Sequence, residues 1–275
     1  MKGVARSRQL ASERRHEILR YLRDHGSASI TTICELVTAS PATVHRDLEL
    51  LAEKGLLTRV QGGAMSIAGD DDPPVALERG RRVNEKQAIA DAAVDMIGPD
   101  VNSVFLEAST TVSAMVAALR EMEDKVFVTN SPEIALDLVK GRAEVILIGG
   151  ELRPRTLATV GPLTVSALDS VSIDLAFIGV SALDTEGLSS VNLFEAATKS
   201  AILNASRRSI ALGDGDKLGR RALAAVGSLS SIDGLITDAA APAEQVALLR
   251  AAGLEVTVAH IRGPRAIPHR ERRVI

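Results

Sequence analysis

From residue 101 onward the chain repeats one pattern: a short, continuous apolar run followed by a stretch with apolar residues at helical spacing. The runs fall at 101–107, 126–129, 144–148, 175–180, 209–212, 235–237 and 255–259, and most end on, or are followed within two residues by, Gly, Ser, Thr or Asp. A strand apolar on both faces is stable only where both faces are covered, which is the situation in a parallel sheet flanked by helices. The spacing predicts helices over 85–97, from 109 to about 120, and over 132–140, 162–168, 193–206 and 242–252. The larger part of the chain is therefore expected to be a Rossmann-like α/β domain. Aromatic residues make up 2% of the chain and Trp is absent, so its cores must be built from Ala, Val, Leu and Ile. The same scarcity disfavours single-stranded nucleic acid as a ligand, because base stacking needs aromatic platforms.

The first 68 residues read differently. Helices are expected over 13–25, with Ile18, Leu19 and Leu22 inward, and over 30–38, with Ile33, Leu36 and Val37 inward. Ser40-Pro41 then combines a good N-cap with a first-turn proline. A third helix follows to about Lys54, with Val44, Leu48 and Leu51 on one face. Two short strands, 56–60 and 64–67, flank the turn Gln61-Gly62-Gly63. Three short helices and a hairpin form a winged helix-turn-helix. The single cysteine, Cys34, excludes an intrachain disulfide and falls in an apolar helical pattern.

Charge supports this division. Residues 1–68 hold ten Lys or Arg against seven Asp or Glu, whereas the remainder holds 22 against 28. A basic head on an acidic body fits nucleic-acid binding at one end. The expected organisation is a DNA-binding domain (1–68), a polar Pro-rich linker (69–84), a sensing domain (85–261) and a tail (262–275) with five arginines that reads as a solvated end. No stretch has the pattern of a leader or reaches membrane-spanning length, so a cytoplasmic protein without membrane contact is expected.

On the third helix the inward set leaves Ala42, His45, Arg46 and Glu49 facing out. Such residues near a helix start can reach phosphates and base edges in the major groove. Ser40 and Thr43 can donate to phosphate, and Arg59 on the wing can neutralise another. This segment, Ser40-Pro-Ala-Thr43-Val44-His45-Arg46-Asp47-Leu48 with the wing Arg59-Val60-Gln61-Gly62-Gly63-Ala64, resembles the DeoR family of bacterial repressors. The resemblance places Ser40, Ala42, Thr43, His45, Arg46, Arg59, Gly62 and Gly63 at duplex DNA. The family usually has two arginines before the Asp-Leu; His45 replaces the first, which makes that contact weaker or pH-sensitive. Asp47 is expected to orient Arg46 or the backbone.

The resemblance covers nearly the whole chain. DeoR sensor domains look like sugar-phosphate isomerases of the ribose-5-phosphate isomerase type, and the matching stretches include Ser109-Thr110-Thr111, Val128-Thr129-Asn130, Ile148-Gly149-Gly150, Asp174–Gly179 and Leu212–Lys217. Small hydroxyl residues where a strand meets a helix make an anion cradle, and most of these stretches end predicted strands, the edge where open α/β sheets bind ligands. The resemblance implies a phosphorylated sugar held by Ser109, Thr110 and Thr111. It gives Asn130 and Asp174 to sugar hydroxyls or the pocket frame, Gly149 and Gly150 to the same edge, and Lys199 and Lys217 to positive charge. A structural role for Asp174 at a strand start is the alternative. Where the family has Asp-x-Gly-Thr-Thr, this chain has Glu107 and Ser109.

An active isomerase with an appended DNA-binding head is the rival reading. In that chemistry a Glu directly before a Lys acts as base. Here Thr198 precedes Lys199, and Glu195 is one turn away, where it can instead pair with Lys199. A third reading has the α/β domain serving oligomerisation alone. The sequence is read as a regulator and not an enzyme, with no catalytic residues, metal or cofactor. Its partners are operator DNA, a phosphorylated sugar and further copies of the chain in a dimer or tetramer.

Overall fold

The computed structural model describes residues 11–25, 27–54, 56–60, 62–65 and 75–261. The tail 262–275 and residues 69–74 of the expected linker lie outside the described residues. The head has helices α1 (Ala11–His25), α2 (Ile30–Leu36) and α3 (Pro41–Glu53) and strands β1 (Ser27–Ser29), β2 (Thr58–Val60) and β3 (Gly63–Met65). The three strands form an antiparallel sheet in the order β1-β3-β2. Strand β1 is not foreseen by the sequence: three small residues carry no periodic signal, and pairing with β3 alone makes them a strand. Gly63 is required by that pairing, since a Cβ there would stand 2.2 Å from the carbonyl oxygen of Ala28. Ile18, Leu22, Ile33, Val37, Val44, Leu48 and Leu51 are buried together. At about 1.5–3 kcal/mol for each such side chain, their packing rather than helix propensity holds this small domain.

The rest of the chain adds helices α4 (Val75–Arg79), α5 (Val83–Val94), α6 (Thr110–Ser113), α7 (Val116–Leu119), α8 (Pro132–Leu138), α9 (Pro162–Leu168), α10 (Leu193–Ala205) and α11 (Ala243–Ala251). Its strands are β4 (Ser103–Leu106), β5 (Val126–Thr129), β6 (Glu144–Leu147), β7 (Glu151–Leu152), β8 (Thr159–Val160), β9 (Ile173–Gly179), β10 (Ala182–Asp184), β11 (Gly187–Ser190), β12 (Ser206–Leu212), β13 (Ala224–Ser228), β14 (Gly234–Asp238) and β15 (Glu255–Ala259). Among the described residues seven strands form one parallel sheet in the order β15-β14-β12-β9-β4-β5-β6. Alternate side chains go to opposite faces. Val104, Leu106, Leu175, Phe177, Ile210 and Leu212 pack under α5 to α8, whereas Phe105, Ala176, Ile178 and Ala211 pack against α9, α10 and α11.

Three features depart from expectation. The helix after β4 is broken at Ala114-Met115 into two four-residue pieces. The segment expected as a linker contains α4. An antiparallel sheet, β10-β11-β13, covers one side of the parallel sheet's ligand-binding edge.

Candidate functional site

On the head, Ser40 caps α3: its Oγ accepts from the Thr43 N–H at 3.3 Å and lies 2.9 Å from the Thr43 hydroxyl. Ala42, His45, Arg46 and Glu49 are exposed on one face, while Val44, Leu48 and Leu51 are buried opposite. Arg59 of β2 reaches across to this face, with Nη2 2.9 Å from His45 Nδ1 and Nη1 3.3 Å from Glu49. Arg59 can only donate, so the histidine nitrogen accepts, and His45 joins the wing to the helix. Gly62 turns the hairpin at φ +78. Asp47 requires a correction. It is buried, and instead of orienting Arg46 it receives Arg14 at 2.5 Å and Arg15 at 3.0 Å, locking α3 onto α1.

In the α/β domain β4 is the first strand of the parallel sheet. The chain leaves it to one side through β5 and β6, then crosses back to β9 and continues through β12 and β14 to β15. The strand order therefore reverses between β4 and β9, and their C-terminal ends open a crevice, as expected at a topological switch point. A cavity of about 560 Å³ sits there, lined by Ser109, Thr110, Thr111, Lys199 and Lys217, all expected from the sequence. That volume suits a small metabolite.

The loop after β4 is fixed from both sides. Asn130 at the end of β5 accepts from the Ala108 N–H at 2.9 Å and donates to the Thr159 carbonyl at 3.1 Å. Glu107 turns inward, where Oε2 accepts from the Gly179 N–H at 3.0 Å and Oε1 pairs with Lys199 at 3.0 Å. Lys199 in turn donates to the Gly179 carbonyl at 2.6 Å. Burial pushes the Glu107 carboxyl up, against the pull of Lys199 and the Gly179 N–H. Ser109 is extended at φ −142, so the residue standing in place of the family's glycine needs no left-handed conformation. It packs directly onto Gly179, where a Cβ would meet its Oγ at 2.3 Å. Because α6 has four residues, its dipole is weak, and the polarity of this wall comes from hydroxyls and lysines.

Other expected residues lie elsewhere. Asn130 is buried behind the loop and frames it, without lining the cavity. Gly149 and Gly150 are exposed and pack against α9: Thr164 donates to the Gly149 carbonyl at 2.9 Å, and a Cβ on Gly150 would strike Thr164. Asp174 is corrected to a structural role. It lies near the N-terminal end of β9, the opposite edge of the sheet, and accepts from the N–H groups of Asn102 and Ser103, both at 3.0 Å. Those bonds hold its carboxyl below the usual range. Glu195 does not pair with Lys199 but forms an ion pair with Arg153 at 3.1 Å and accepts from Thr156 at 2.8 Å.

Sequence reasoning missed the near wall. Glu78 of α4, Arg81, Lys86 of α5 and Asp216 all line the cavity. Arg81 and Arg82 both grip Asp216, at 2.6 and 2.8 Å, tying the start of α5 to the Lys217 turn. Arg82 adopts φ +49 there, a strained conformation worth about 1–3 kcal/mol that its ion pairs sustain. Lys86 is buried and donates to the Glu78 carbonyl; burial depresses its ammonium, and Glu78 and Asp214 pull it back. The one signal in the sequence is the charge run Glu78-Arg79-Gly80-Arg81-Arg82, which local reading takes as solvated linker.

A winged helix-turn-helix head joined to an α/β domain with a polar switch-point cavity defines a ligand-responsive DNA-binding regulator. The chain belongs to the DeoR family: the DeoR-like helix-turn-helix domain matches residues 14–69, and the DeoR C terminal sensor domain matches residues 81–239. It is 33% identical to the HTH-type transcriptional regulator GlpR of Haloferax volcanii, across 90% of this chain and 97% of that one. It is 32% identical to the glycerol-3-phosphate regulon repressor of Escherichia coli, across 86% of this chain and 95% of its relative. A putative aga operon transcriptional repressor of Escherichia coli O157:H7 is 31% identical across 89% and 93%. Among solved structures, a D-ribose-5-phosphate isomerase in complex with phospho-erythronic acid is similar at 21% identity and a TM-score of 0.35, over 48% of this chain and 52% of that one, a likeness too slight to bear weight. The chain is thus a transcriptional regulator of a family of repressors, not an enzyme. Among the described residues no helix is long and apolar enough to cross a membrane.

Proposed function

We propose that this chain represses a carbohydrate operon from the cytoplasm and is released from its operator by a small phosphorylated metabolite. The head within 1–68 holds duplex DNA through α3 and the wing. Ser40, Thr43 and Arg59 contact phosphates, and Ala42, His45 and Arg46 face base edges, with Gly62 and Gly63 bringing the wing backbone close. The sensor within 85–261, joined through 69–84, holds the effector. Ser109, Thr110, Thr111 and Lys217 take its phosphate. Lys199, neutralised by Glu107, and Asn130 hold the loop in shape. The chain acts as a dimer or larger oligomer, with paired heads on repeated or palindromic half-sites. The observation that carries the reading is the pairing, in one chain, of an exposed helix start bearing Arg46 with a hydroxyl- and lysine-lined cavity at the sheet's switch point. Its relatives' names make glycerol 3-phosphate a natural first ligand to try.

Isomerisation is disfavoured by the site itself. Thr198 is buried with its hydroxyl on the Phe194 carbonyl at 2.9 Å, and Glu195 is occupied by Arg153 and Thr156. The test is binding of duplex from the chain's own upstream region, with and without glycerol 3-phosphate and other sugar phosphates. Arg46→Ala should weaken binding and lower the salt slope by about 1. Lys217→Ala should bind DNA normally and fail to release it. Loss of DNA binding in folded Lys217→Ala would overturn the division of labour.

A further inference from the structure

The cavity carries an anion of its own. The Glu78 side chain, 12% exposed, places Oε2 3.9 Å from Lys217 Nζ and Oε1 3.7 Å from Arg81 Nη1. Its Oε1 is buried without a hydrogen bond. The other cavity carboxylates are closed by short contacts: Glu107 by Lys199 and Gly179, Glu195 by Thr156 and Arg153, Asp216 by Arg81 and Arg82. Asp214 caps the turn by accepting from the Asp216 N–H at 3.2 Å. Glu78 alone of this set has a buried carboxylate oxygen that accepts no hydrogen bond. Among the described residues it is also the carboxylate found within 4 Å of Lys217.

We propose that Glu78 is a built-in competitor for the effector's phosphate: it occupies the ammonium of Lys217 until a phosphate expels it, and its departure dislodges α4. This rests on the cavity being the effector site. Two anions cannot share one partly buried ammonium without strong repulsion. Neutralisation by proton uptake is a poor escape. Burial pushes the Glu78 carboxyl up, but Lys217, Lys86 and Arg81 outweigh it and hold the group below its ordinary value. The carboxylate therefore has to move. α4 has five residues, anchored by the Val75 N–H on the Arg155 carbonyl at 2.7 Å and by Arg79 on Glu133 at 2.5 Å. Among the described residues it is the first element after the wing in sequence, so a displacement of α4 would bear on the chain between the sensor and the head. A neutral sugar cannot expel Glu78, so the device selects ligands by their phosphate and couples that group to DNA release.

Inorganic phosphate is the probe, titrated calorimetrically into full-length protein at fixed ionic strength. Glu78→Gln should bind it about tenfold tighter than wild type, Glu78→Asp within about threefold of wild type, and Lys217→Ala about tenfold or more weaker. Equal affinity of Glu78→Gln and wild type, with Lys217→Ala weakened, removes the competitor and leaves the site standing. Equal tightening by Glu78→Asp also removes it, since packing rather than charge would then be responsible. Phosphate binding by none of the proteins removes both readings. Hydrogen exchange on wild type decides the displacement even if a variant fails to fold: saturating phosphate should speed exchange of the α4 amides, and slower or unchanged exchange there overturns the proposal.

Discussion

Gly179→Ala is the sharpest probe of how the proposed effector loop is built. The added methyl would stand 2.3 Å from Ser109 Oγ, 2.4 Å from Ser109 Cβ and 3.0 Å from Glu107 Oε2. Ordinary carbon contacts lie at about 3.5–4.0 Å, so the loop must retreat by roughly 1 Å. It cannot retreat freely. Ala108 is bonded to Asn130 at 2.9 Å, Ser109 Oγ accepts from the Thr111 N–H at 3.2 Å, and the Ser109 carbonyl accepts from the Ser113 N–H at 2.8 Å. Overpacking of this kind costs about 1–3 kcal/mol. For a sensor of this size a loss near 2 kcal/mol lowers Tm by about 4–8 °C. The same shift carries Thr110 and Thr111 away from a bound phosphate. Losing one or two hydrogen bonds to a charged group, at about 1.5–3 kcal/mol each, weakens phosphate binding by at least about tenfold. Operator binding should be unchanged, because α3 lies in the head. Calorimetric melting, phosphate titration and gel shift read the three effects. Ser109→Gly in the same chain removes the clashing atoms and should restore at least half of the lost stability, at a capping cost of a few tenths of a kcal/mol. An unchanged Tm with wild-type phosphate affinity, or no rescue by Ser109→Gly, would refute the packing of this loop on β9.

Two further outcomes follow from charges the sequence leaves ambiguous. Asp47→Ala leaves Arg14 and Arg15, whose side chains are 15% and 23% exposed, without their carboxylate. It should destabilise the head by about 2–3 kcal/mol, below the 3–5 kcal/mol of a fully buried pair because both cations keep some water. Urea unfolding followed on the head measures this, and DNA affinity should fall with stability rather than with salt slope. Asp174 has a folded-state carboxyl pKa depressed first by the Ser103 N–H and then by that of Asn102. Its stabilisation is therefore full above the unfolded value of about 3.9 and is lost as pH falls through the lower folded value. Acid unfolding of Asp174→Asn should show a shallower loss as pH falls below about 4 than wild type. Altered phosphate affinity in that variant would return Asp174 to the site.

Sequence alone determined the elements whose cause is local. Ser40-Pro41 and the spacing of Val44, Leu48 and Leu51 place α3 wherever the head sits, because a cap and an apolar stripe act within a few residues of themselves. The seven apolar runs imply a parallel sheet for the same reason, and Ser109, Thr110, Thr111, Lys199 and Lys217 fall at its ligand edge once strand direction is known. Tertiary structure decided what each charge meets. Asp47 faces α1, Glu107 faces Lys199, Asp174 holds the start of β4, and Glu78 enters the cavity from a segment that reads as linker. Each partner comes from a distant part of the chain, and so do the pairings of β11 with β13 and of β1 with β3. Local propensity cannot encode such meetings, since they depend on which surfaces the folded sheet and helices bring within a few ångströms of one another.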